Sequence, residues 1–112
     1  MDRNIKKYLE DIILSIEEIE AFLEQRPRQF QIFLEDTMFR RAIERDISII
    51  GEAVTKILQL DSNIEISNAQ KIKGTRNYIV HSYDTLNEAT IWGIVINHLP
   101  KLKLEVQTLL DP

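Results

Sequence analysis

The stretch TMFRRAIERDISIIGEAVTKILQL, residues 37–60, decides the fold class. Its apolar residues Met38, Phe39, Ala42, Ile43, Ile47, Ile50, Ala53, Val54, Ile57 and Leu58 recur at spacings of three and four, which gathers them on one side of a helix. Asp36 stands just before it, where a carboxylate can accept a bond from a free backbone N–H and cap the helix. Gly51 interrupts the pattern at a cost of roughly 1 kcal/mol relative to Ala. Close approach of another helix is the expected reason for a glycine there.

The same periodicity extends outward in both directions. On the N-terminal side, Ile5, Tyr8, Leu9, Ile12, Ile13, Ile16, Ile19, Phe22 and Leu23 form one apolar face. They predict a first helix from about Arg3 to Gln25, capped by Asp2 and stopped by Pro27. Its acidic residues Glu10, Glu17, Glu18 and Glu24 fall on other faces and read as solvated, although such a stretch could meet a basic patch on a partner. Phe30 to Leu34 reads as a short helical turn. On the C-terminal side, Asp61-Ser62-Asn63 is a loop, and Ser67 or Asn68 can cap a third long helix from Ala69 to His81 or Tyr83, weakened internally by Gly74. Thr85 and Glu88 fit a capping box. It opens a last helix from Leu86 to Leu110, which Pro100 should kink or divide. The sum is an all-α, four- to five-helix up-and-down bundle forming one domain over residues 1–112, with an apolar surplus suited to a dimer interface.

Composition narrows the function classes. At 112 residues, 44% hydrophobic and 29% charged, the chain is an ordinary globular domain, and three Gly with three Pro favour helices over short strands. The lack of Cys excludes a disulfide framework, a thiolate metal site and a cysteine nucleophile, and it fits a cytoplasmic location. The apolar runs are too short for a membrane span, and the N-terminus has no signal-peptide core. The two His residues are seventeen apart, with no carboxylate pattern of a zinc or di-iron site beside them; no metal and no cofactor is expected. The net charge of −4 is not that of a protein drawn as a whole to nucleic acid, and no basic recognition helix is present. Any RNA contact must be local. The stretch 69–82 holds no acidic residue and carries Lys71, Lys73, Arg76 and His81, although Lys71 and Lys73 also read as a solvated face.

The segment 76–83, Arg-Asn-Tyr-Ile-Val-His-Ser-Tyr, has the residue types for RNA cleavage. A His can take the proton of a ribose 2′-OH or return one to the leaving oxygen. An Arg offers a fixed fork to a phosphate and stabilises the charge that grows on it. Asn77 and His81 are helical neighbours four apart, so Asn77 can orient the imidazole. Arg76 and His81 are five apart, roughly 140° around an ideal helix. Either the helix loosens, or two copies of the segment meet across a dimer axis. Taken alone, a single His in a helical protein is more often structural than catalytic. Trp92 reads as core or interface packing, and His98 as structural or exposed.

The arrangement Arg76, four residues, His81, one residue, Tyr83 resembles the R-x4-H-x-Y pattern of the HepT-type HEPN toxins, and Asn77 matches the polar residue that follows the Arg. The segment 49–53, ending in Gly-Glu-Ala, also resembles that family. So do Ile91-Trp92 and the segment 99–102, Leu-Pro-Lys-Leu, so that the likeness covers nearly the whole chain.

The resemblance implies a helical homodimer and a metal-independent endoribonuclease. It implies cleavage by attack of the 2′-OH to leave a cyclic phosphate, at a cleft lined by Arg76 and His81 of both subunits. It further implies a type VII toxin–antitoxin system. The partner there is a small nucleotidyltransferase antitoxin of the MNT/MntA type, which transfers AMP onto the motif Tyr, here Tyr83. AMP adds bulk and negative charge beside a site that must accept anionic RNA. Glu52 could support Arg76, or be a solvated helix residue. The alternative is a non-catalytic helical partner or substrate-binding subunit of a nucleotidyltransferase, which the acidic net charge favours slightly.

Overall fold

Two capped helices frame the molecule. In a computed structural model describing residues 1–81 and 88–112, Asp2 Oδ1 accepts from the N–H groups of Asn4 and Ile5 at 2.7 and 3.1 Å and starts α1 (Arg3–Glu24). Asp36 Oδ1 accepts from Phe39 N–H at 3.0 Å and starts α3 (Thr37–Leu60), after the single-turn α2 (Phe30–Glu35). Asp36 also takes Arg26 Nε at 2.9 Å. The Phe39 amide and then the Arg26 guanidinium hold its carboxyl below the usual carboxylate range. That pair ties the turn after α1 to the start of α3.

The chain continues with α4 (Ala69–His81), α5 (Glu88–Gly93), a π-helical segment (Ile94–His98) and α6 (Leu99–Leu110). No strand occurs among the described residues. The all-α reading therefore stands. Tyr83, Thr85 and the start of the expected last helix lie outside the described residues.

Helix α3 is the central rod. It packs along α1 on one side and α4 on another, with α2 against it, while α6 closes over α1. Ile43, Ile47, Ile50, Val54 and Ile57 are buried against Leu9, Ile12, Ile16 and Ile19, with Ile91, Ile94 and Val106 from the C-terminal helices. Fully buried side chains of this size contribute about 1.5–3 kcal/mol each. Phe33 seals the end of this core, its ring 5.1 Å from Trp92 and 6.1 Å from Phe39, centroid to centroid. Met38 departs from the predicted face and is 83% exposed. Phe39 takes the inward position in that turn, which leaves its neighbour about 100° away pointing outward.

The last helix is divided rather than smoothly kinked. Pro100 has no N–H to give, and its ring would crowd the carbonyl four residues back. The turn before it widens, and Leu99 N–H donates to the Ile94 carbonyl, five residues back. The start of α4 also differs from the expected cap. Ser67 gives its hydroxyl to Glu105 at 2.6 Å and its N–H to the same carboxylate at 3.1 Å, tying the α3–α4 loop to α6. Asn68 takes φ = 61°, a left-handed conformation that Asn tolerates better than most residues.

Candidate functional site

Arg76 sits at the contact between α3 and α4, and a glycine decides how. Gly51 is buried, and a Cβ built on it would fall inside contact distance of Arg76 Cβ and 2.9 Å from Arg76 Cγ. The expected close approach at Gly51 is thus made by α4, at the root of the Arg76 side chain. One residue on, Glu52 Oε2 meets Arg76 Nη2 at 3.2 Å, so Glu52 pairs with Arg76 rather than standing alone in solvent. Lys56 lies one turn further, 3.9 Å from the same carboxylate.

The Arg76 guanidinium makes a second contact, donating from Nη1 to Asn77 Oδ1 at 3.2 Å. Its Nε is shielded from water and has no hydrogen-bond partner among the described residues. A buried donor left unmade is costly in a folded protein. Beside it lies an open groove of about 300 Å³ where three helices converge. Its walls include Tyr8 and Asp11 from α1, Arg45 and Glu52 from α3, and Arg76 and Val80 from α4.

His81 is the last residue of α4, exposed, and does not line this groove. The helix is regular α from Ala69 through His81, so it does not loosen to bring Arg76 and His81 onto one face. The structure therefore brings together Arg76, Asn77 and Glu52 within one chain and leaves His81 on the outer end of the same helix. Lys71 is exposed, Lys73 half-buried, and neither lines the groove. Among the described residues, no group of three or more His, Asp or Glu is placed to hold a metal ion. No described helix is long and apolar enough to cross a membrane.

The groove runs into a second hollow of about 220 Å³ that shares Asp11, Arg45 and Ile49 and is bounded by Glu18 and Asp46. Asp46 is 2% exposed, and its Oδ2 has no hydrogen-bond partner among the described residues. Burial, reinforced by a hydrogen bond to Glu18 and by the charge of that residue, pushes its carboxyl up to about 7. Asp46 faces the like charge of Glu18 across the α1–α3 seam. On the same helix, burial first and then the charge of Glu88 at the start of α5 raise the carboxyl of Glu44. Sequence reasoning missed Asp46. The signal was present, since Asp46 sits three after Ile43 and four before Ile50, inside the apolar stripe. It also missed Tyr8 and Arg45 as groove residues, because nothing in the sequence shows which exposed positions of two helices face a third.

Comparison with known proteins gives the family. The profile of the HepT-like ribonuclease family matches residues 12–109. The chain belongs to that family. A HepT-named ribonuclease of Thermococcus cleftensis is 34% identical over 107 residues, covering 92% of this chain and 93% of that protein. A protein of Caldanaerobacter subterraneus subsp. tengcongensis named as an RNase is 32% identical over 110 residues, covering 95% and 94%. Another so named, from Methanocaldococcus jannaschii, is 30% identical over 107 residues, covering 94% and 95%. No solved structure matches. HepT-like membership fits the helical order and length of the chain.

Proposed function

We propose that this HepT-like protein is a metal-independent endoribonuclease toxin whose site is completed by dimerisation. The observation that carries the reading is the environment of Arg76. Its stem is fixed against α3, its fork is held by Glu52 and Asn77, and the residue lines an open groove. That is a preorganised anion site, which suits the charge that develops on a phosphate during transfer.

In the proposed reaction the ribose 2′-oxygen attacks phosphorus and the bond to the 5′-oxygen breaks. One proton leaves the 2′-OH and one reaches the departing 5′-oxygen, giving a cyclic phosphate and a 5′-hydroxyl. His81 handles proton transfer. A regular α4 keeps His81 off the face of its own Arg76, so the second subunit supplies the complement. Exposed Tyr78 and Val80 on α4 and Leu14 on α1, with the groove between those helices and α3, give an apolar surface for a second copy. Asn77 holds the Arg76 fork, and Lys71 and Lys73 steer RNA by charge. A cytoplasmic toxin of this kind is neutralised when a partner nucleotidyltransferase joins Tyr83 Oη to the α-phosphorus of ATP, with pyrophosphate leaving.

The test is incubation of the purified protein with labelled RNA in chelator, beside Arg76→Ala and His81→Ala. Cleavage by the parent alone, with cyclic-phosphate ends, is expected. Equal cutting by the variants would identify a contaminant and end the assignment. No cutting by any of them would leave the role of a non-catalytic nucleotidyltransferase partner.

A further inference from the structure

We propose that Gly51 is a positioning residue for Arg76: the missing side chain at 51 lets α4 seat Arg76 at the depth where its guanidinium reaches Glu52. The catalytic meaning of this inference rests on the proposed function; the positioning itself does not.

The glycine is required by space and not by backbone conformation, since no described glycine has a positive φ. The atoms that a Cβ would strike are Arg76 Cβ and Cγ, with the Ile72 carbonyl oxygen at 3.4 Å. These are the root of a side chain and the backbone of α4, not the far end of a flexible group, so a rotamer change cannot clear them. The helix itself must move outward. The other two glycines make the contrast. A Cβ at Gly74 or Gly93 meets nothing within 4 Å.

The neighbouring residue converts depth into geometry. Glu52 holds Arg76 Nη2 at 3.2 Å from the same turn of α3. One turn therefore sets both how close α4 comes and where its arginine points. An outward shift of about 1 Å stretches that pair to the limit of an ion pair, and misplacement of that size is enough to cost on the order of a hundredfold in rate. Arg76 Nε, now shielded from water, becomes exposed by the same movement.

The experiment compares Gly51→Ala with Gly74→Ala, which adds a methyl to α4 in open space. The readouts are RNA cleavage and the solvent exchange of the Arg76 Nε–H proton by NMR, assigned by its disappearance in Arg76→Lys. In Gly51→Ala, exchange is expected to quicken at least tenfold and cleavage to fall at least tenfold, with both unchanged in Gly74→Ala. Unchanged exchange in Gly51→Ala overturns the proposal. If the parent cuts no RNA but Gly51→Ala still releases the Nε–H proton, the nuclease reading fails and the positioning role stands. Should Gly51→Ala fold poorly, the double variant Gly51→Ala/Arg76→Gly decides, because it moves the methyl to the other side of the contact. Recovery of the melting temperature supports the proposal, and no recovery overturns it.

Discussion

Replacing Asp46 by Asn should stabilise the protein at alkaline pH and flatten its pH dependence. The folded carboxyl is pushed up to about 7 from 3.8, by burial first and Glu18 second. Between those values the folded chain keeps a proton that the unfolded chain has lost. Stability therefore falls as pH rises from about 4 to about 7, and it levels off above. A rise from 3.8 to about 7, at about 1.4 kcal/mol per tenfold change in proton affinity, gives on the order of 4 kcal/mol across that window. This is a large share of the 5–15 kcal/mol typical of a whole domain. Asn keeps the shape, offers its amide N–H groups to Glu18 and carries no charge. The assay is urea unfolding of parent and Asp46→Asn at half-unit steps from pH 4.5 to 8.5. The difference between the two curves cancels other carboxyls, Glu44 and Glu88 included. A gain for the Asn variant that grows with pH and reaches about 2 kcal/mol or more by pH 8 is expected. Parallel curves would refute the argument, since they mean that Asp46 ionises in the folded protein as freely as in the unfolded chain.

Other outcomes follow from the same contacts. Glu52→Gln removes the partner of Arg76 at a half-exposed position, so stability should change by less than about 1 kcal/mol in urea unfolding, while RNA cleavage falls at least several-fold. Phe33→Ala empties a fully buried site between Phe39 and Trp92 and should cost about 3–5 kcal/mol, read by the same unfolding assay. Mass spectrometry after incubation with a cognate nucleotidyltransferase and ATP should find AMP on the parent protein and none on Tyr83→Phe.

Helices α1 and α3 could be read from the sequence because periodicity and capping are local. Asp2 and Asp36 each sit within three residues of the amides they cap, and the apolar faces repeat within single helices. Ser67 could not be read in this way, because the carboxylate that claims its hydroxyl is on Glu105, 38 residues on. Gly51 was visible as an anomaly, yet its partner Arg76 is set by tertiary contact between helices. The Pro100 disruption was legible, but not that it would be absorbed one turn earlier as a π segment. Of the candidate site, the residue types and their separation around α4 were readable. The ion pair between Glu52 and Arg76 was one of two readings, decided only when α4 was laid against α3. Asp46 was hidden for another reason. Its place in the stripe conflicts with its charge, and burial, with Glu18 across the seam, resolves the conflict by holding its carboxyl up to about 7.

The pairing of Glu52 with both Arg76 and Lys56 has a consequence for how the resting protein meets its ligand. Arg76 already holds an anion, so an incoming phosphate is an exchange rather than a capture. The displaced carboxylate is not stranded, because Lys56 stands 3.9 Å away on the same helix and keeps it neutralised. With Glu52 counted, Arg76 and Lys56 together present one net positive charge to RNA rather than two. The salt sensitivity of binding should thus fall short of what the number of basic contacts suggests, by about one ion. An internal carboxylate of this kind also screens the site against stray small anions, which must outcompete a tethered neighbour before they can occupy it.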